Sequence, residues 1–323
     1  DADHIEGIIR LLLDAEALAC SFERIWFNGR DQLNAVPDPA GAALGGVQGE
    51  MLGMLIADYE QRTGTQVWNR GFPGALAAID RTNPVLPVVE LPGNCRLTLL
   101  SPDHARLLDL KDNWAKELKA ARIPSGDVAK LRERLDASRR LRPLGDVLGA
   151  EDDFDSDAPV AEAADDDLAD VLGGSAGEPG ADAPFGGDTS RANGSSIALL
   201  LDYPATRPEV RFILAGDAWP AVLEASLDRL VTPGERLAIS GFKLAHHGSV
   251  ANVSESLLGK LSCANYLIST NGAIFHHPHA RCRLGLVDGC RDAGAYLFVQ
   301  GVTPFRSIDG DAQHRAIAVA RNH

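Results

Sequence analysis

The chain has 323 residues, 45% hydrophobic and 24% charged, which is enough for a sizeable core and ordinary for a globular protein. No run reaches the roughly 18 consecutive apolar residues of a membrane span, so no membrane partner is expected. The net charge is −14, but 14 acidic residues and no Lys or Arg fall between Asp146 and Asp188. The remainder is balanced, so overall acidity does not exclude a polyanionic substrate.

The five cysteines, Cys20, Cys95, Cys263, Cys282 and Cys290, form an odd set without a CxxC pair. That argues against both a disulfide framework and a cysteine zinc site. A reducing, cytoplasmic location is the expectation. The opening Asp-Ala-Asp-His has no basic or apolar leader character, so no secretory signal is expected.

In chain order, Ile5, Ile8, Ile9, Leu12 and Leu13 recur at helical spacing and predict an amphipathic helix from near Ile5. Arg24–Phe27 reads as a short buried strand, and Gly49 to about Arg62 as a helix with Met51, Leu52, Leu55 and Ile56 on one face. Pro87–Leu91 and Arg96–Leu100 flank Pro92-Gly93-Asn94 and predict a hairpin. His104 to about Leu141 reads as helix, broken near Pro124-Ser125-Gly126.

Residues 146–192, rich in Asp, Ala, Gly and Pro, read as a disordered insertion that buries too little apolar surface to offset chain entropy. Beyond it, strands are predicted at Ile197–Asp202, Val210–Leu214, Leu237–Ala245, Tyr266–Ser269 and Tyr296–Val299. Helices are predicted at Trp219–Leu230, Ser254–Leu261 and Arg281–Ala293. The expected class is α/β. The expected partition is 1–145 as one half of the fold, 146–192 as the insertion and 193–323 as the other half.

Four motifs sit at strand ends or helix starts, where a rigid scaffold usually presents reactive groups. Asp1-Ala2-Asp3-His4 sets carboxylates beside an imidazole, a donor mixture suited to Zn²⁺ or Mn²⁺; an ordinary helix cap explains the aspartates equally. Gly216-Asp217 follows a strand and would equally cap the next helix. His246-His247-Gly248-Ser249 gathers two of only nine histidines. His276-His277-Pro278-His279 forms a further cluster, with a surface loop as its plain explanation.

Taken together, these motifs resemble the metallo-β-lactamase fold, and in detail the metallo-hydrolase domain of ComEC-type DNA-uptake proteins and their stand-alone relatives. Asp1-Ala2-Asp3-His4-Ile5-Glu6-Gly7 matches the second half of that family's first metal motif, and Asn193-Gly194-Ser195 its Asn-x-Ser stretch. Gly216-Asp217, Lys243 to Ser249, and Ile268-Ser269 with His277-Pro278 match later motifs. The resemblance implies an αββα sandwich, with the family's leading histidine and first strands falling ahead of Asp1.

It also implies two divalent metal ions, Zn²⁺ or alternatively Mn²⁺, held by Asp1, Asp3, His4, Asp217 and His247. Asp217 would bridge the ions. Asn193 stands where other members carry a further histidine. His246 would face a phosphoryl oxygen, and His277 would lie beside the substrate. Asp3, His246, His277 and Asn193 are thus the residues expected at the reaction centre. Two adjacent cations lower the pKa of water and neutralise charge developing on a phosphoryl group.

The expected activity is hydrolysis of a phosphodiester, with nucleic acid or another phosphoester as substrate. Hydrolysis of small esters, lactones or lactams on the same fold is the alternative. A non-catalytic subunit bound to a protein partner in a larger complex, for instance one of defence, is another. On composition alone, deletion of residues 150–188 is expected to leave the melting temperature nearly unchanged.

Overall fold

The computed structural model describes residues 2–17, 19–36, 47–124, 126–138, 143, 187–263, 265–269, 296–300 and 316–318. Its chain divides into two compact units, Asp1–Ala77 with His104–Gly174, and Ala78–Asp103 with Ser175–His323. The class is mixed α/β, as the alternation of apolar runs implies. The predicted helix Arg281–Ala293 and most of the insertion lie outside the described residues.

The described part of the first unit is helical: α1 (Ala2–Asp14), α2 (Arg30–Ala35), α3 (Val47–Thr63), α4 (His104–Ala120) and α5 (Val128–Ala137). Ile9 and Leu12 of α1 are buried against Met51, Leu52, Leu55 and Ile56 of α3, as their spacing requires. Ile8, read as part of the same stripe, is 37% exposed and faces away. The helix starts at Ala2 rather than near Ile5, so Asp3 and His4 occupy its first turn. The expected strand Arg24–Phe27 is reduced to a single bridge between Ile25 and Trp68. Its aromatics pack instead of pairing: Phe27 stacks on Trp68, and Trp26 meets Phe72 edge-on.

The second unit is built on one sheet in the order β1-β2-β3-β4-β6-β8-β9-β10. Its members are β1 (Val88–Leu91), β2 (Cys95–Ser101), β3 (Ala198–Tyr203), β4 (Val210–Leu214), β6 (Gly241–Lys243), β8 (Asn265–Ser269), β9 (Tyr296–Gln300) and β10 (Ala316–Ala318). β1 to β4 pair antiparallel, beginning with the predicted hairpin around Pro92–Asn94. From β4 onward, through β6, β8, β9 and β10, neighbours are parallel.

The run read as one strand, Leu237–Ala245, breaks into β5 (Leu237–Ile239) and β6. β5 pairs with β7 (Leu261–Cys263) in a separate two-stranded sheet. The break falls at Ser240, whose N–H donates to the Arg211 carbonyl as the chain crosses onto the main sheet. Gly241 follows because a Cβ there would stand 2.2 Å from the Phe212 ring. Further helices among the described residues are α6 (Arg191–Gly194), α7 (Pro220–Leu227) and α8 (Glu255–Gly259).

One sheet face carries Leu100, Leu200, Ile213, Phe242 and Ile268, all nearly inaccessible to solvent. Ser226 of α7 donates to the Leu100 carbonyl from the same side. Phe242 is fully buried one residue before Lys243, so it anchors the strand that delivers the histidine pair. Phe242→Ala is expected to lower unfolding free energy by about 3–5 kcal/mol, the range for emptying a buried aromatic site. Chemical denaturation of wild type and variant measures this.

Candidate functional site

Three neighbouring parallel strands, β4, β6 and β8, end at Leu214, Lys243 and Ser269. In open α/β sheets the crevice beyond such carboxyl ends is the usual ligand position. The loops that leave these ends carry Gly216-Asp217 and His246-His247. Gly216 adopts φ +55°, turning the chain so that its carbonyl accepts from the His246 N–H at 3.0 Å.

His246 (φ 44°, ψ 53°) and His247 (φ 55°, ψ 21°) both lie in the left-handed region. Each such residue costs about 1–2 kcal/mol for an L-side chain, although histidine is among those that visit this region most. Two in succession mark a turn held by its surroundings. The holding contacts are visible: Leu244 N–H to the Leu267 carbonyl, His246 N–H to Gly216, and Ser249 N–H to the His246 carbonyl.

Both imidazoles have their Nδ1 nitrogens fixed by acceptors. The His247 Nδ1 lies 2.5 Å from the Ser269 main-chain carbonyl, which only accepts, so Nδ1 carries the proton and Nε2 the lone pair. Burial lowers the His247 pKa from its ordinary value, against opposing effects from the Ser269 carbonyl and Asp217, which favours the neutral form. The His246 Nδ1 lies 2.9 Å from Asn252 Oδ1. The ring centroids of the pair are 6.1 Å apart.

Asp217 is 2% exposed and sits within electrostatic reach of both His247 and Lys243. Burial lowers the Lys243 pKa, and the Asp217 carboxylate opposes that shift. The structure therefore brings together, in the second unit, four of the residues singled out in the sequence: Asn193, Asp217, His246 and His247.

Two residues that the sequence reading passed over complete the cluster. Asp188, counted there as the last acid of the insertion, has a buried carboxylate. It accepts from Ser190 N–H at 2.7 Å, Asn193 Nδ2 at 2.9 Å and Asn252 Nδ2 at 2.7 Å. Asn252, fully buried, also donates to the Asp217 carbonyl at 3.1 Å. The available signal was the spacing Asp188-Thr189-Ser190-Arg191-Ala192-Asn193, in which Ser190 caps α6 by accepting from Asn193 N–H. Residues 187–192 are thus folded chain, and the expected insertion boundary at 192 moves back before Asp188, because this carboxylate is bound by three donors.

Asp1 and His277 lie outside the described residues. Asp3 and His4 are placed only as backbone within α1, and their side chains lie outside the described part. Among the described residues no group of three or more His, Cys, Asp or Glu side chains stands ready to hold a metal ion. His247, whose Nδ1–H is committed to the Ser269 carbonyl, and the buried Asp217 carboxylate are described groups of the donor types that metal ions take.

No family model, curated protein or solved structure matches the chain. Among the described residues no helix is long and apolar enough to cross a membrane.

Asp188→Ala would strand two buried amide donors, each costing on the order of 1–3 kcal/mol. The variant is expected to melt clearly below wild type. Deletion of residues 150–180, which spares Asp188, is expected to shift melting little. Parallel thermal melts compare the two.

Proposed function

We propose that this chain is a metal-dependent hydrolase of phosphodiesters, built on a metallo-β-lactamase-type framework whose sheet carries the site on β4, β6 and β8. The observation that carries this reading is the pair of imidazoles at one strand end beside the buried Asp217. Each imidazole has Nδ1 tied to an acceptor. Their order along the chain, Gly-Asp and then Lys-x-x-His-His-Gly-Ser, supports the family resemblance on which the substrate class rests.

Asp217 and His247 would hold the metal: the carboxylate supplies a hard anionic donor, and the neutral imidazole supplies Nε2. Bound there, divalent ions would acidify water and offset charge developing on phosphoryl oxygens. His246 would face the phosphoryl group through Nε2, since its Nδ1 is committed to Asn252; the bare Nε2 would accept a proton there and only then donate to a phosphoryl oxygen. Asp217 is assigned to metal binding, so its loss should fall on turnover.

Purified protein with Mn²⁺ or Zn²⁺ is expected to cleave bis(p-nitrophenyl) phosphate and DNA, and to lose that activity to a chelator. Asp217→Ala is expected to reduce turnover roughly a hundredfold or more, about 2.7 kcal/mol of barrier, while the protein stays folded by circular dichroism. Undiminished turnover in Asp217→Ala would remove this assignment. Turnover of a lactone with none of a phosphodiester would move the protein to the small-ester class. Less than one metal per chain, unchanged in His247→Ala, would favour a non-catalytic subunit.

A further inference from the structure

We propose that Asp188, acting through Asn252, is a positioning residue that fixes His246 in the tautomer with its proton on Nδ1 and its lone pair on Nε2. The argument starts from the Asn252 amide. Its nitrogen lies 2.7 Å from Asp188 Oδ2 and 3.1 Å from the Asp217 main-chain carbonyl, and both of these only accept. The amide orientation is therefore determined, and its oxygen is the atom 2.9 Å from His246 Nδ1. An oxygen acceptor requires a proton on that nitrogen, which leaves Nε2 bare in the neutral ring.

Asp188 is the fixed point of this chain. Its Oδ2 takes both the Asn252 and Asn193 amides, and its Oδ1 takes the Ser190 N–H. It stands 3.8 Å from His246 Nδ1, within ion-pair reach but beyond hydrogen-bond length, so its directional hold on the ring runs through the amide. That interposition matters chemically. A carboxylate in direct contact would favour the imidazolium as well as orient the ring. A neutral amide held by a buried carboxylate sets the orientation and the tautomer without adding a charge to the contact. Asn193 turns its amide nitrogen toward the same Nδ1 at 3.5 Å, a donor that would suit the other tautomer, but that nitrogen already donates to Asp188 at 2.9 Å, and the Asn252 oxygen at 2.9 Å is the shorter contact that decides.

The consequence for turnover rests on the hydrolase reading above; the tautomer does not. The test is ¹⁵N NMR of the full chain labelled at histidine, with the His246 signals assigned by their loss in His246→Gln. Wild type is expected to show a protonated Nδ1 and a bare Nε2. Asn252→Leu, and the isosteric Asp188→Asn where the first does not fold, are expected to shift the proton toward Nε2. They are also expected to lower kcat by on the order of ten- to a hundredfold, with KM little changed.

A wild-type ring protonated on Nε2 would overturn the proposal, as would folded single variants with unchanged nitrogen shifts. A tautomer switch in a protein that hydrolyses no substrate supports the positioning and removes only the hydrolase reading.

Discussion

A buried negative charge that meets three hydrogen-bond donors organises this site. An ionised carboxylate out of water is costly unless its oxygens are matched, and Asp188 has a main-chain N–H on one oxygen and two amides on the other. Those amides belong to Asn193, in α6 before β3, and Asn252, in the loop after the histidine pair. Satisfying one charge therefore pins two distant stretches of chain together. Asn252 in turn reaches the main chain of Asp217, so the loop after β4 joins the same arrangement.

The sheet supplies what the side chains cannot. β4, β6 and β8 run parallel and end side by side, so residues separated by dozens of positions in sequence arrive at one edge. The left-handed backbone at His246 and His247 is the local cost of aiming two consecutive side chains from one strand end. Phe242 and Gly241 belong to the same logic. The glycine lets the strand pass close to Phe212, and the fully buried ring behind it keeps the strand from sliding.

Much of this was legible in the residues. The hairpin around Pro92–Asn94, α3, and the strands leading to Asp217 and to the histidine pair follow from apolar periodicity and turn chemistry. Asp217, His246 and His247 were recognisable because their residue types cluster at strand ends, and Asn193 only through the family resemblance. Asp188 was not, because thirteen other acids precede it without a basic residue among them, and composition speaks for the stretch rather than for its last member. Asn252 was hidden because an amide in a loop has no period. The Leu237–Ala245 run misled because continuous hydrophobicity cannot distinguish one strand from two in different sheets. Arg24–Phe27 misled because aromatic packing replaced strand pairing.

The pairing of β2 with β3 has a consequence for how the chain tolerates length. These adjacent antiparallel strands are joined by everything between Ser101 and Ala198, including α4, α5 and the acidic stretch. Ring closure of a long connection grows only logarithmically, so doubling its length adds about 0.6 kcal/mol. Length gained or lost in the acidic stretch, as opposed to α4 and α5 with their buried Trp114, Leu118 and Leu131, is therefore expected to leave the register of β2 and β3 unchanged. Its far end has no such latitude, since Asp188 must return to meet Asn193 and Asn252. Natural variation in this protein is thus expected to be permissive in how far the chain travels and strict about where it comes back.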